Sequence, residues 1–230
     1  MSVDLSHWAE RPRPAREALV GRTVRLEPLS APKHGEGLYA VSTVADADER
    51  FRWLMEYPPR SRGEFQLWLE KAEASTDPLF YTVIDQETGA IGGRQTLMRI
   101  DPVNGCIEAG NIYWGPGLSR TIRATEALFL FARHVFDDLG YRRFEWKCNA
   151  RNEPSKRAAA RFGFTYEGTF RQHLIVKGEN RDTAWFSILD SEWPALKSAF
   201  DAWLDPSNFD KEGEQKKRLE TFRGGAGANG

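Results

Sequence analysis

The sequence predicts an α+β fold, a mixed and mostly antiparallel central sheet of about six to seven strands flanked by helices. Three features predict it. First, Leu79 to Asp85, Ala90 to Arg99 and Ile107 to Trp114 are alternating, β-rich runs separated by turn residues, and read as three consecutive antiparallel strands. Second, from Ile122 the apolar residues change to helical spacing, at Ala124, Ala127, Leu128, Phe131, Val135, Phe136 and Leu139. Gly140 is placed to end that helix in a left-handed conformation. Third, Arg143 to Cys148 is a short strand after the helix, and a right-handed crossover sets it parallel to the strand before the helix.

Residues 1–20 read as an irregular surface arm, with Pro12 and Pro14 among charges and Trp8 as its anchor. Thr23 to Glu27 alternates and stops at Pro28, a first strand. Ala31 to about Ser42 has a weak helical pattern. Asp46 to Arg60 gathers Phe51, Trp53, Leu54, Met55 and Tyr57, and reads as a local hydrophobic cluster or a substrate-facing loop. Ser61 to Ala74 is an amphipathic helix that Ser61 can cap. Gln86 to Gly89 makes a hairpin turn, and Gly92-Gly93 marks a bulge. Asn152 to Phe162 is a second helix, opened by Asn152 or Glu153, with Pro154 in its first turn and Gly163 at its end. Phe164 to Val176 and Thr183 to Leu189 form a long hairpin, and Glu192 to Leu204 a helix with Trp193, Leu196, Phe200 and Trp203 as its stripe. Residues 205–230 are polar, end in GGAGANG and read as a disordered tail. With no internal repeat and no linker, residues 21–204 form one domain.

Composition narrows the function. A net charge of −1 over 230 residues gives no basis for a nucleic-acid binder driven by bulk charge. The two cysteines, Cys106 and Cys148, supply neither a metal-ligand spacing nor a disulfide framework, so no metal is expected and a reducing cytoplasm fits. No apolar run is long enough for a signal peptide or a membrane span.

Between the strand ending at Trp114 and the helix from Ile122, Gly115-Pro116-Gly117 breaks the chain, and Ser119 or Thr121 can cap that helix. Such a strand–turn–helix aims free backbone N–H groups and the positive end of a helix dipole at one point. Arg120 and Arg123 add charge there. The competing reading is a structural connection with solvated arginines.

The order of elements resembles the GNAT superfamily of acyl-CoA-dependent N-acyltransferases, and most closely the Rim-type ribosomal-protein N-terminal acetyltransferases. Three stretches carry the resemblance: GRTVRLEPL at 21–29, the run from ATEA at 124–127 through N-x-x-S at 152–155 to GFTYEGTFRQ at 163–172, and residues 178–189 with Asp182 opening the last strand. It implies a V-shaped splay between the fourth and fifth strands, 107–114 and 143–148. The superfamily's phosphate loop reads Q/R-x-x-G-x-G/A. Here the matching residues are Ser119-Arg120-Thr121-Ile122-Arg123-Ala124, so Ile122 stands where glycine is usual. An isoleucine serves there if its φ is helical and its side chain enters the core, and Arg120 or Arg123 can compensate with charge-assisted bonds.

The resemblance implies transfer of an acetyl group from acetyl-CoA, as co-substrate, to the primary amine of a small amino-acid-like molecule or a protein N-terminus. The alternative is a CoA-binding or peptide-binding module without turnover. No nucleic acid or membrane partner is implied, and the chain is expected as a monomer or homodimer. The pantetheine arm is expected along Ile112, Tyr113 and Trp114, the pyrophosphate on Ser119 to Ala124, and Asn152 on the pantetheine; ordinary strand packing is the competing role for the Tyr113 and Trp114 side chains, and a simple helix cap for Asn152. Glu108 is the expected general base, against an exposed strand glutamate. Ser155 is the expected general acid, against a first-turn hydroxyl bonded to its own helix; the tyrosine many members use is replaced by Ala159. Phe170, Arg171 and Gln172 are expected to line the acceptor groove. Glu126 reads as structural, and His34, His134 and His173 show no partner pattern.

Overall fold

A computed structural model describes residues 4–223. In chain order its strands are β1 (Leu19–Val20), β2 (Val24–Pro28), β3 (Leu79–Asp85), β4 (Ile91–Asp101), β5 (Cys106–Trp114), β6 (Arg143–Asn149), β7 (Thr165–Val176) and β8 (Glu179–Leu189). The helices are α1 (Ala31–Ser42), α2 (Ala47–Phe51), α3 (Arg62–Ala74), α4 (Ile122–Arg133, continued by a π turn over His134–Asp138), α5 (Glu153–Phe162), α6 (Trp193–Leu204) and α7 (Leu219–Arg223). The strands form one sheet in the order β1-β2-β3-β4-β5-β6-β8-β7. All neighbours are antiparallel except β5 and β6, the pair joined by the crossover through α4.

Strand alternation decides what each face of the sheet carries. Leu79, Tyr81 and Val83 of β3, Ile107 and Ala109 of β5, and Phe144, Trp146 and Cys148 of β6 join the main core, with α4 and α6 packed on it. Phe80, one residue out of step, belongs to a second cluster under α1 and α3. Glu108, Glu145 and Lys147 are likewise out of step with the main core, and so present a charged face on that other side.

The end signals act as their residue types dictate. Ser61 accepts the N–H of Glu64, Thr121 that of Ala124, and Asn152 that of Ser155. Gly140 and Gly163 take the left-handed conformations that close α4 and α5. Gly93 has φ 156°, and a Cβ there would stand 2.1 Å from the carbonyl oxygen of Tyr113. Only glycine allows that approach.

Two expectations are revised. The sheet has an eighth strand because the end of the N-terminal arm, Leu19–Val20, pairs with β2. The turn between them is held by Glu126 of α4, whose carboxylate accepts the N–H groups of Arg22, Thr23 and Val24 at 2.7, 2.6 and 3.2 Å and the Thr23 hydroxyl. The arm itself is fixed where the Trp8 indole donates to the Val103 carbonyl at 2.7 Å. Second, the polar segment from Asp205 is folded over 205–223. A few well-placed groups suffice: Leu219 is fully buried, Phe209 and Phe222 pack on the core, and the buried Asn208 amide donates to the carbonyls of Trp203 and Lys217. The GGAGANG end, 224–230, lies outside the described residues.

Candidate active site

The parallel β5–β6 ladder is short. It runs from the Cys106–Arg143 pair to the Ala109–Trp146 pair and stops, although β5 continues to Trp114 and β6 to Asn149. Beyond Ala109 the two strands diverge, and a cleft of about 1480 Å³ passes through the opening. A typical small-molecule site is roughly 300–1,000 Å³, so this one has room for an extended ligand and a second molecule.

The β5 edge of the cleft is shaped by a bulge. Gly110 pairs with Thr96 and Tyr113 with Arg94, so Asn111 and Ile112 oppose the single residue Gln95, and Asn111 takes φ 46°. Arg94, buried to 2% exposure, donates to the Asn111 carbonyl at 3.0 Å, pairs with Glu56 and lies over the Trp68 ring at 4.5 Å. That clamp fixes which way the backbone groups of 111–114 face. The side chains of this stretch serve packing: Tyr113 donates its hydroxyl to the Val41 carbonyl and packs on Phe51, Trp114 donates to Gln95 at 3.2 Å, and Ile112 lies on the core.

Ser119, Arg120, Thr121, Ile122, Arg123 and Ala124 all line one end of the cleft. Ile122 is the first residue of α4, and its side chain packs on the main core. Both conditions for an isoleucine in that place are met. The N–H groups of Ile122 and Arg123 belong to the first turn, where no intrahelical acceptor exists. Arg120 has φ 66°, while Arg123 is engaged with Asp85 at 2.7 Å. A further cation, not singled out from the sequence, reaches the same end: Arg161 of α5, which donates to the Thr125 hydroxyl at 3.0 Å and stacks near Trp203 and Phe162. Its place in the last turn of a helix reads as ordinary dipole complementation, so no signal marked it. Phe209 and Glu212 to Gln215, in the folded segment after α6, close this end of the cleft.

Asn152 and Ser155 line the cleft from α5. Asn152 uses its carbonyl oxygen to cap the helix, which leaves its NH₂ free to donate. The Ser155 hydroxyl accepts the Trp146 indole N–H at 2.9 Å, not a bond from its own helix. Glu108 lines the cleft from the charged face and is 4% exposed, so it is not a solvated strand glutamate. Its carboxylate meets Lys147 at 2.9 Å and Arg99 at 2.9 Å. Burial pushes its pKa up from the usual carboxylate range, and Lys147 and then Arg99 oppose the rise. Lys147 also meets Glu145 at 2.6 Å and lies over the Trp185 ring.

Phe170, Arg171 and Gln172 are not brought to the cleft wall. The β7–β8 register breaks between Phe170 and Leu174, where residues 171–173 oppose only Asp182, and Gln172 turns through φ 51° with its N–H on the Asp182 carboxylate. All three are exposed, and the strand reaches the cleft through Leu174 instead. From β8, Arg181 lines the cleft opposite the segment Trp53 to Glu56. The histidines stand apart: His34 is buried between Glu27 and Thr82, His134 meets Asp138, and His173 meets Thr183.

An opened parallel strand pair leading into the first turn of a crossover helix is the architecture of an acyltransferase fold, and comparison with known proteins agrees. The family model described as "Acetyltransferase (GNAT) domain" matches residues 23–165, and the chain belongs to this family. A solved GCN5-related N-acetyltransferase from Brucella melitensis is similar at 62% identity and TM-score 0.94, over 95% of this chain and 99% of that one. A solved protein from Chromobacterium violaceum ATCC 12472, described as "probable acetyltransferases (GNAT family)", is similar at 38% identity and TM-score 0.79, over 85% and 97%. The Bacillus subtilis (strain 168) protein named "Putative ribosomal N-acetyltransferase YdaF" is 30% identical over 47% of this chain and 59% of its own length, in keeping with the Rim-type resemblance. The chain spans about three-fifths of the length of the curated relatives it matches. Among the described residues no helix is long and apolar enough to cross a membrane.

Proposed function

We propose that the chain transfers an acetyl group from acetyl-CoA to a primary amine, on a protein N-terminus or an amino-acid-like small molecule. The observation that carries this reading is the β5–β6 ladder that stops at Ala109 and Trp146 and opens onto the first turn of α4. The residues present fit the co-substrate. First-turn N–H groups of Ile122 and Arg123, with Arg120 and Arg161, suit a pyrophosphate; the diverging edges of β5 and β6 offer unpaired backbone groups to the amides of a pantetheine arm. Ile122 leaves the phosphate donors in place, and Glu108 and Ser155 both line the same cleft, which supports turnover over a binding module that has lost its chemistry.

The reaction needs three services. A backbone N–H of 112–114 polarises the thioester carbonyl. The neutral amine forms the new C–N bond as the C–S bond breaks, and its proton passes to Glu108, whose carboxyl is made more basic by burial. The sulfur that leaves takes a proton from Ser155, whose hydroxyl is turned by the Trp146 N–H so that its own hydrogen points away from the indole. Glu108 and Ser155 lie toward opposite faces of the sheet, so proton removal and proton delivery occur on opposite sides of the reacting carbon.

Calorimetric titration with acetyl-CoA, compared with CoA, tests the first half, and thiol release with an amine panel tests the second. Micromolar binding followed by amine-dependent thiol release is expected; no binding at millimolar ligand refutes the reading.

A further inference from the structure

The charged face beside the acceptor end of the cleft is nearly, but not fully, balanced. Glu108, Glu145 and Glu167 meet Arg99, Arg143 and Lys147 in a closed set of contacts at 2.5 to 2.9 Å. Arg181 is a fourth cation on the same side. Its neighbours Glu108 and Arg99 already hold each other. Among the described residues it has no carboxylate partner: its Nη1 meets only the Met55 sulfur, at 3.5 Å, and its Nε–H is buried without an acceptor. Buried donors are almost always satisfied, and an uncompensated guanidinium in a cleft wall is costly unless a ligand completes it. The sulfur is a weak acceptor and does not complete it.

Resting on the transfer reading, we infer that Arg181 is the recognition residue for a carboxylate on the acceptor, so that the amine and a carboxylate belong to the same small molecule or the same N-terminal residue. One excess positive charge calls for one monoanion, which fits a carboxylate and leaves a dianionic phosphate uncompensated. The guanidinium fork matches a carboxylate with two parallel bonds. The apolar side chains around it, Trp53, Leu54 and Met55 on one side and Leu174 on the other, reduce its contact with solvent and strengthen that pairing. The placement also serves the chemistry, because the uncompensated charge of Arg181 disfavours an ammonium near Glu108 and so favours the neutral, attacking amine. Arg171, expected to line the acceptor groove, is exposed at the β7 irregularity and takes no part.

The test is acetyl-CoA-driven thiol release with matched acceptors, each rate referred to the concentration of neutral amine. Alanine against alaninamide probes a free amino acid; a peptide beginning with Glu against one beginning with Gln probes an acidic N-terminal residue. The carboxylate member of one pair is expected to lead by about ten- to a hundredfold in kcat/KM, the worth of a charge-assisted bond, mainly through KM, and the pair that shows it identifies the source. Arg181→Gln should bring the ratio to about one, and Arg181→Lys should keep part of it, both with unchanged acetyl-CoA affinity. If Arg181→Gln does not fold, the wild-type pairs and Arg181→Lys decide. Wild-type protein that binds acetyl-CoA but shows no carboxylate preference, or a preference that survives Arg181→Gln, overturns this inference alone. Wild-type protein that fails to bind acetyl-CoA overturns the transfer reading with it.

Discussion

The Trp146 indole N–H donates to the Ser155 hydroxyl at 2.9 Å, across from the strand that lines the cleft to the first turn of the helix that caps it. The bond ties a core residue of β6 to the proposed acid and leaves the hydroxyl hydrogen as the only one it can give. Ser155→Ala is expected to lower kcat by roughly ten- to a hundredfold, at or below the usual range for general-acid residues, with little change in the acetyl-CoA dissociation constant. Trp146→Phe keeps an aromatic ring in the core and removes the donor, so it should give a smaller loss in kcat. Steady-state kinetics beside calorimetry separates the two effects.

Glu108 is buried with its pKa raised, chiefly by burial and against the pull of Lys147 and Arg99. Activity should therefore fall, as pH drops, at a pH above the ordinary carboxylate range. Glu108→Gln is expected to remove that limb and lower the plateau by about a hundredfold or more. A variant whose pH profile matches the wild type would show that Glu108 is only a charge partner of Lys147.

Gly93 admits no Cβ beside the Tyr113 carbonyl, where the clearance would be 2.1 Å. Gly93→Ala should destabilise the fold by roughly 2–3 kcal/mol, from a clash with backbone and a φ that alanine disfavours. Because the displaced atom belongs to the cleft edge, the loss in acetyl-CoA affinity should exceed that of Gly89→Ala, a turn glycine whose Cβ would meet nothing within 4 Å. Chemical denaturation and calorimetry on both variants make the comparison.

The Glu167 carboxyl is held down at about 2 by hydrogen bonds from Arg143, with a further one from Ser187, against the effect of its burial. A carboxyl whose pKa is lower in the folded state stabilises above its unfolded value and loses that contribution as pH falls toward the folded one. Stability should thus decline between about pH 4.5 and about pH 2, in part through this group. Glu167→Gln should lower stability at neutral pH and flatten that decline, which thermal melts across the range will register.

Ile122→Gly would install the residue more usual in such loops. Here it removes a side chain packed on the core and loosens the first turn of α4, so a stability loss of about 1–2 kcal/mol is expected, without a gain in acetyl-CoA affinity. Tighter binding would mean that the isoleucine obstructs the ligand.

The elements were legible because their signals are local. Alternation set the inward residues of β3 and β6, Ser61 and Thr121 capped as their hydroxyls dictate, and Gly140 and Gly163 ended their helices. The cleft residues of β5 and α4 were legible because a strand, a turn and a helix succeed each other directly. The features that were not legible depend on contacts far apart in sequence or on unusual backbone. Arg94 and Arg181 occupy strand positions where a charge reads as solvent-facing; Trp68 and Glu56 enclose the first, and Met55 reaches the second. Phe170 to Gln172 lie off the cleft beside the break in the β7–β8 register, where Gln172 takes a positive φ that nothing in its residue type announces. The segment after Asp205 reads as polar because its few anchors, Asn208, Phe209, Leu219 and Phe222, are spread among charges.

β6 and β8 share seven residue pairs, while β5 and β6 share four. The sheet is therefore two antiparallel rafts, β1 to β5 and β6 to β8, lashed together by a narrow strip of parallel backbone. Apart from the two-residue β1–β2 pair at the sheet's margin, that strip bears tension applied across the strands on the fewest bonds, and the gap proposed to admit a substrate is also the line along which the two rafts would part.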